Sequence, residues 1–171
     1  MRILGNQSLL PKAARSQVCT GPVKSSQATN TTAARTTADA TARILGEGQG
    51  VKVSLVAIEP VQVQGDPVRL RQLFLNLLTN AIKYTARGGT VTVALERRGE
   101  NAAFAVHDTG LGIAAADLPF IFDRFWRADR ARSRSSERGG FGLGLAIAQW
   151  IAHAHGGTIE AHSDPLSRGA L

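Results

Sequence analysis

The stretch that most constrains how this chain can fold is residues 66–83. Asp66 is suited to an N-cap, Pro67 to the first helical position. Leu70, Leu73, Phe74, Leu77, Leu78, Ala81 and Ile82 then recur at helical spacing, and Gly88 and Gly89 close the segment. A stripe this wide must be covered by a sheet or by other helices. Gln72, Asn76, Asn80 and Lys83 lie on a different face. The spacings of four and three put Asn76, Asn80 and Lys83 on one side of the helix. Taken alone, that is the solvated face of any amphipathic helix. Chemically it also reads as a wall facing a ligand. An asparagine carbonyl oxygen is a hard ligand that suits Mg²⁺, and a lysine one turn on reaches a phosphate as a point charge.

The other elements follow from shorter patterns. A helix is expected from about residue 32 to 45, ended by Gly46 and Gly48. Residues 51–55 alternate as a strand, and residues 61–63 read as a second, shorter one. Residues 90–95 and 102–106 read as two strands joined by a turn near Gly99. The last helix is opened by the glycines of residues 139–144, with Leu143, Ala146, Ile147, Trp150, Ile151 and Ala154 on one face, and a short strand follows at 158–161. Strands and helices intermixed with a hairpin make the class α+β, with one mixed sheet carrying helices on one face. Residues 16–37 are rich in Ser, Thr, Gln, Asn and Ala and read as a disordered lead or linker. The domain division is therefore a lead over residues 1–31 and one folded domain over 32–171.

Two glycine clusters add chemistry. Asp108 ends a strand and is followed by Gly110 and Gly112. Glycines let the backbone approach a flat ligand, and a carboxylate there accepts a hydrogen bond from an exocyclic amine such as that of adenine. Guanine presents a carbonyl at that place and is repelled. Gly139, Gly140, Gly142 and Gly144 lead into a helix, whose N-terminal N–H groups and dipole favour an anion. The spacing is not that of the P-loop. Each cluster alone is a weak signal.

Together and in this order they resemble the nucleotide-binding boxes of the catalytic domain of two-component sensor histidine kinases. LFLNLLTNAIKYT at 73–85 resembles the family's N box, DTGLG at 108–112 its first glycine box, IFDRFWR at 121–127 its F box, and GFGLGLAI at 140–147 its second glycine box. The resemblance runs from about residue 36 to the end. It implies a two-layer α/β sandwich, the Bergerat-type ATP-binding fold, and a protein-histidine kinase using ATP and Mg²⁺. It implies Asn80 as the metal ligand with Asn76 beside it, Lys83 on phosphate, and Tyr84 near the adenine. Asp108 takes the adenine amino group, with Gly110, Gly112, Ile113 and Phe122 around the nucleotide. Arg127 reaches phosphate from a mobile lid expected over about residues 130–140, Gly142 and Gly144 hinge that lid and open the helix at the phosphates, and Gly140, Leu143 and Leu145 bind the nucleotide beside them. Catalysis is carried by Asn76, Asn80, Lys83 and Arg127.

Position 76 bears on the reaction. ATP-hydrolysing members of the wider superfamily carry a glutamate one turn before the metal-binding asparagine. Asn76 cannot act as a general base at neutral pH, so transfer to a protein nucleophile is favoured over hydrolysis. None of His107, His153, His155 and His162 stands in the family's phosphoacceptor context. His153 and His155 end a helix, where a positive charge suits the dipole. The implied partners are the histidine phosphoacceptor and dimerisation domain and a response regulator. An inactive nucleotide-binding regulatory module, or a truncated fragment of such a kinase, is the alternative. Residues 167–171 stop at a turn after which the family continues into a last strand, so the sheet is expected to lack that strand.

The formal charge of +7 invites a nucleic-acid reading, but six arginines sit between residues 124 and 138 among Asp123, Asp129 and Glu137. Stacking aromatics are not interleaved beyond Phe125 and Trp126, which argues against nucleic acid. No run of about 18 apolar residues appears, so no membrane contact is expected from this segment. Asn6 and Gln7 interrupt the apolar start too early for a secretion signal, and Cys19 has no partner for a disulfide. The expectation is a cytoplasmic domain, with anchoring of the full-length kinase in the cell membrane left open.

Overall fold

A computed structural model describes residues 15–22, 46–58, 61–127 and 141–163. The elements are β1 (Arg15–Pro22), β2 (Lys52–Ile58), α1 (Pro67–Tyr84), β3 (Thr90–Arg98), β4 (Asn101–Asp108), a 3-10 turn (Leu118–Phe120), α2 (Gly144–Ala154) and β5 (Thr158–His162). The strands form one sheet in the order β2-β3-β4-β1-β5. β2 runs parallel to β3, and the other pairings are antiparallel, so the sheet is mixed.

α1 begins as its sequence dictates. Asp66 accepts from the N–H groups of Val68 at 2.8 Å and Arg69 at 3.2 Å, and Pro67 occupies the first turn. The stripe then buries Leu73, Leu77, Leu78, Ala81 and Ile82. These pack with Ala148, Ile151 and Ala152 of α2 and with Val91, Val93, Val106 and Ile159 of the sheet. Val93 lies opposite Val106 in register, so both face the helices together. The result is the two-layer α+β arrangement. No helix among the described residues is long and apolar enough to cross a membrane.

Three expectations need correction. Residues 15–22 were set in a lead, yet β1 runs through the sheet interior, paired antiparallel with both β4 and β5. Polar composition hid it. An interior strand is held by backbone hydrogen bonds on both sides, and Val18, Cys19 and Thr20 are compatible with that geometry. The expected gap in the sheet concerned the chain's other end, and β1 lies between β4 and β5. Residues 61–63 are not a strand; they lead into the cap of α1 with only Val61 buried. The buried face of α2 is Ala148, Ile151 and Ala152, while Trp150 is 60% exposed and Ala154 is exposed. Helical spacing groups Trp150 with Ile147 and Ile151, but its ring lies 5.9 Å from the Arg69 guanidinium on the outer surface. The expected helix over residues 32–45, and the expected lid over 130–140, lie outside the described residues.

Leu77 is 0% exposed and sits where α1 meets both the sheet and α2. Leu77→Ala is expected to lower the free energy of unfolding by about 2–5 kcal/mol. Urea titration followed by circular dichroism checks it; a loss below about 1 kcal/mol would place the core elsewhere.

Candidate functional site

The site is built where three chain segments meet the C-terminal half of α1. The first is the loop after β4. Asp108, 1% exposed at the strand's end, accepts from the N–H of Gly110 at 3.0 Å. The loop is held against α1 by Leu111, whose N–H donates to the carbonyl of Tyr84 at 3.1 Å. Gly110 is required for this approach, since a Cβ there would stand 2.4 Å from the Tyr84 oxygen. Gly112 has φ +68°, in the left-handed region that favours glycine. At the loop's two ends, Thr109 donates its N–H to the Thr90 carbonyl at 3.0 Å and its hydroxyl accepts from the Thr90 N–H at 2.9 Å, and Ile113 donates its N–H to the hydroxyl of Ser163 at 2.8 Å. Ser163 went unnoticed in the sequence; its place just past β5 carries no local motif.

The second segment joins residues 121–127 to the start of α2. Phe125 donates its N–H to the carbonyl of Gly142 at 2.9 Å. Gly142 has φ +69°, and a Cβ there would stand 2.7 Å from the Trp126 carbonyl oxygen. Phe125 itself has φ +64°, an outlier for a bulky residue. Both flanks of residues 128–140 are therefore brought side by side. Phe122 packs against the core, and Arg127, half-buried, stands two residues past the Phe125–Gly142 contact. Gly140 lies outside the described residues.

The third is the head of α2. Its N-cap is Leu143, which makes no side-chain cap, and its first intrahelical bond runs from Ile147 to Leu143. The contrast is with α1, whose start is sealed by the Asp66 carboxylate. The opening turn of α2, Gly144 and Leu145 included, thus keeps the N–H groups and dipole that attract an anion. It faces the polar flank of α1: a Cβ on Gly144 would lie 4.0 Å from the Asn76 amide carbon. Among the described residues the buried Asn76 Nδ2 has no hydrogen-bond partner, which costs about 1–3 kcal/mol unless something else meets it. Asn80 is half-buried one turn on, and the Lys83 ammonium lies 5.1 Å from the centre of the Tyr84 ring.

The structure therefore brings Asn76 to Gly144, Tyr84 to Gly110, and residues 125–126 to Gly142. Among the described residues, no group of three or more His, Cys, Asp or Glu could hold a metal ion. A cation here would take an amide oxygen from the chain and its other ligands from phosphate and water, which is how Mg²⁺ is commonly held.

Comparison with known proteins agrees with this geometry. Residues 65–170 match the family described as histidine kinase-, DNA gyrase B- and HSP90-like ATPases. The sensor protein SphS of Synechococcus elongatus is 46% identical over 112 residues, covering 63% of this chain and 27% of SphS. The solved mycobacterial sensor histidine kinase MprB superposes with a TM-score of 0.62 at 26% identity, over 76% of this chain and 95% of that one. Full-length ShkA in complex with AMPPNP superposes with a TM-score of 0.60 at 26% identity, over 85% of this chain and 31% of ShkA. This chain spans less than a third of the length of the curated relatives it matches.

The Gly110 contact yields a direct test. Gly110→Ala should push the loop off the end of α1 and break the Leu111–Tyr84 hydrogen bond. Amide exchange at Leu111 is expected to accelerate by about tenfold or more, as for loss of roughly 1.4 kcal/mol of local protection. Unchanged exchange at Leu111 would mean the backbone approach does not depend on glycine.

Proposed function

Because this chain belongs to the family of histidine kinase-, DNA gyrase B- and HSP90-like ATPases, we propose that it is the ATP-binding catalytic domain of a sensor histidine kinase. In this reading it passes the γ-phosphate of Mg-ATP to a histidine on a phosphoacceptor domain, from which a response regulator is served in the cytoplasm. The observation that carries the reading is the convergence of the Asn76 side chain, the uncapped head of α2 and the Asp108–Gly110 loop on one flank of α1.

The residues divide the work by chemistry. Asp108, fixed by its bond to Gly110, accepts the adenine amino group, while Gly110, Gly112, Ile113 and Phe122 border the base and Tyr84 packs near it. Asn80 supplies an amide oxygen to Mg²⁺, and Asn76 beside it offers its buried amide. Bound Mg²⁺ would neutralise charge between the phosphates. Lys83 and Arg127 bring positive charge to the phosphate oxygens. Gly142, Leu143, Gly144 and Leu145 present backbone at the head of α2, where N–H groups and dipole favour the phosphates, and Gly140 is assigned to the nucleotide by its motif alone. Asn76 cannot take a proton from water, so the site lacks the base a hydrolase needs at this position. Phosphoryl transfer relies on positioning and charge stabilisation, and an incoming histidine can supply the nucleophile.

Two experiments test this reading. Calorimetric titration should show Mg²⁺-dependent binding of ATP in preference to GTP, with Asp108→Ala losing on the order of 1.5–3 kcal/mol of ATP affinity. Equal affinity for the two nucleotides would remove Asp108 from base recognition. The chain is also to be incubated with radiolabelled ATP, alone and with the phosphoacceptor domain of its own kinase. Acid-labile, base-stable label on the added domain only is expected. Such label on this chain by itself would reassign the phosphoacceptor, and label on neither would favour an inactive nucleotide-binding module.

A further inference from the structure

His155 ties the end of α2 to the beginning of α1. Its Nε2 lies 3.1 Å from the backbone nitrogen of Asp66, and its Nδ1 lies 2.8 Å from the carbonyl oxygen of Ile151. A carbonyl only accepts and a backbone N–H only donates. Nδ1 therefore carries the proton and Nε2 is bare, which defines one tautomer of the neutral ring. A doubly protonated ring would lose the bond to Asp66. This replaces the charged helix-end histidine expected from sequence position. The space for the ring depends on Gly65, where a Cβ would stand 2.4 Å from His155 Cδ2 and 2.8 Å from Nε2.

The bond lies at one end of an antiparallel helix pair whose other end is the candidate site. Asp66 precedes Asn76 by ten residues, and Gly144 precedes His155 by eleven. Asn76 faces Gly144, and Asp66 bonds His155. The helices are thus clamped at two levels about 15 Å apart at 1.5 Å of rise per residue. The Asp66 carboxylate is spent on Val68 and Arg69, so it does not substitute for the ring. The charged and titratable groups around this contact are that carboxylate, the Arg69 guanidinium, which turns to Gln72 and the Trp150 ring, and the exposed His153 on α2 itself.

We propose that neutral His155 is a positioning residue for the nucleotide site. It sets the axial register between α1 and α2, and with it the gap between Asn76 and Asn80 on one side and the first turn of α2 on the other. The proposal rests on the nucleotide reading above.

The test uses the full chain, with Mg-ATP affinity measured by calorimetry for wild type, His155→Ala and His155→Gln at a temperature where circular dichroism shows all three folded. At about pH 8 the alanine variant should bind about threefold to tenfold more weakly, the scale of one lost hydrogen bond. The glutamine amide oxygen can accept from Asp66, so His155→Gln should recover most of the loss. The Asp66 amide resonance should shift in His155→Ala and return toward its wild-type position in His155→Gln. Wild-type affinity in His155→Ala, or an Asp66 amide indifferent to the ring, would overturn this proposal alone. Failure of wild type to bind ATP would overturn the nucleotide reading and this proposal with it.

Discussion

The apolar stripe of α1 must be covered on two sides, by the sheet through Val91, Val93 and Val106 and by α2 through Ala148, Ile151 and Ala152. That burial leaves the helix no freedom to rotate. Asn76, Asn80 and Lys83 then fall on the flank beside Leu73, and α2 enters along the same flank with Gly144 against Asn76. A rotation of α1 by one residue would carry the amides into the core and Leu73 into water. Packing that stabilises the domain and geometry that makes a polar wall are thus one constraint, and hydrophobic burial aims the polar groups without contacting a ligand.

The loops are held by close backbone approaches. Gly110 lets the loop after β4 lie on the last carbonyl of α1, and Gly142 lets the turn at Phe125 and Trp126 close on the head of α2. A side chain at either place would meet backbone, which cannot step aside. The second approach carries strain, because Phe125, an exposed residue with a bulky side chain, adopts φ +64°. Such a conformation costs on the order of 1–3 kcal/mol and persists only where neighbours enforce it. Here the Phe125–Gly142 hydrogen bond does so, at the point where both flanks of residues 128–140 meet.

What could be read from the sequence was whatever rests on local pattern. The cap at Asp66, the stripe of α1, the hairpin of β3 and β4, and the glycines at 110, 112, 142 and 144 all lie where spacing and residue chemistry put them. What could not be read depends on partners distant in sequence. β1 is polar in composition and belongs to the sheet only through pairing with β4 and β5, from Pro22 opposite Asn101 to Ser16 opposite His162, far along the chain in both cases. Trp150 has the size of a core residue and the position of a surface one, because α2 buries the small face of Ala148 and Ala152 against α1. Ser163 and His155 act through backbone groups, Ile113 in one case and Asp66 in the other, and nothing in a side-chain pattern signals a backbone partner 50 or 89 residues away.

The two helix heads show why the anion would go to one place and not the other. Both α1 and α2 present a positive dipole end. At α1 the Asp66 carboxylate has already taken the N–H groups of Val68 and Arg69, and His155 takes the N–H of Asp66 itself. That end is closed to a phosphate on both charge and hydrogen-bonding grounds. At α2 the cap residue is Leu143, which has no side-chain oxygen, and Gly142 before it has no side chain to offer one. The amide of Asn76 stands across from that opening, its buried N–H₂ group without a partner among the described residues. Replacing Asn76 by a carboxylate would set a negative charge against the incoming phosphates and supply a base for water. An amide keeps the wall neutral and offers a donor, which suits the proposed binding of a triphosphate without a base for water.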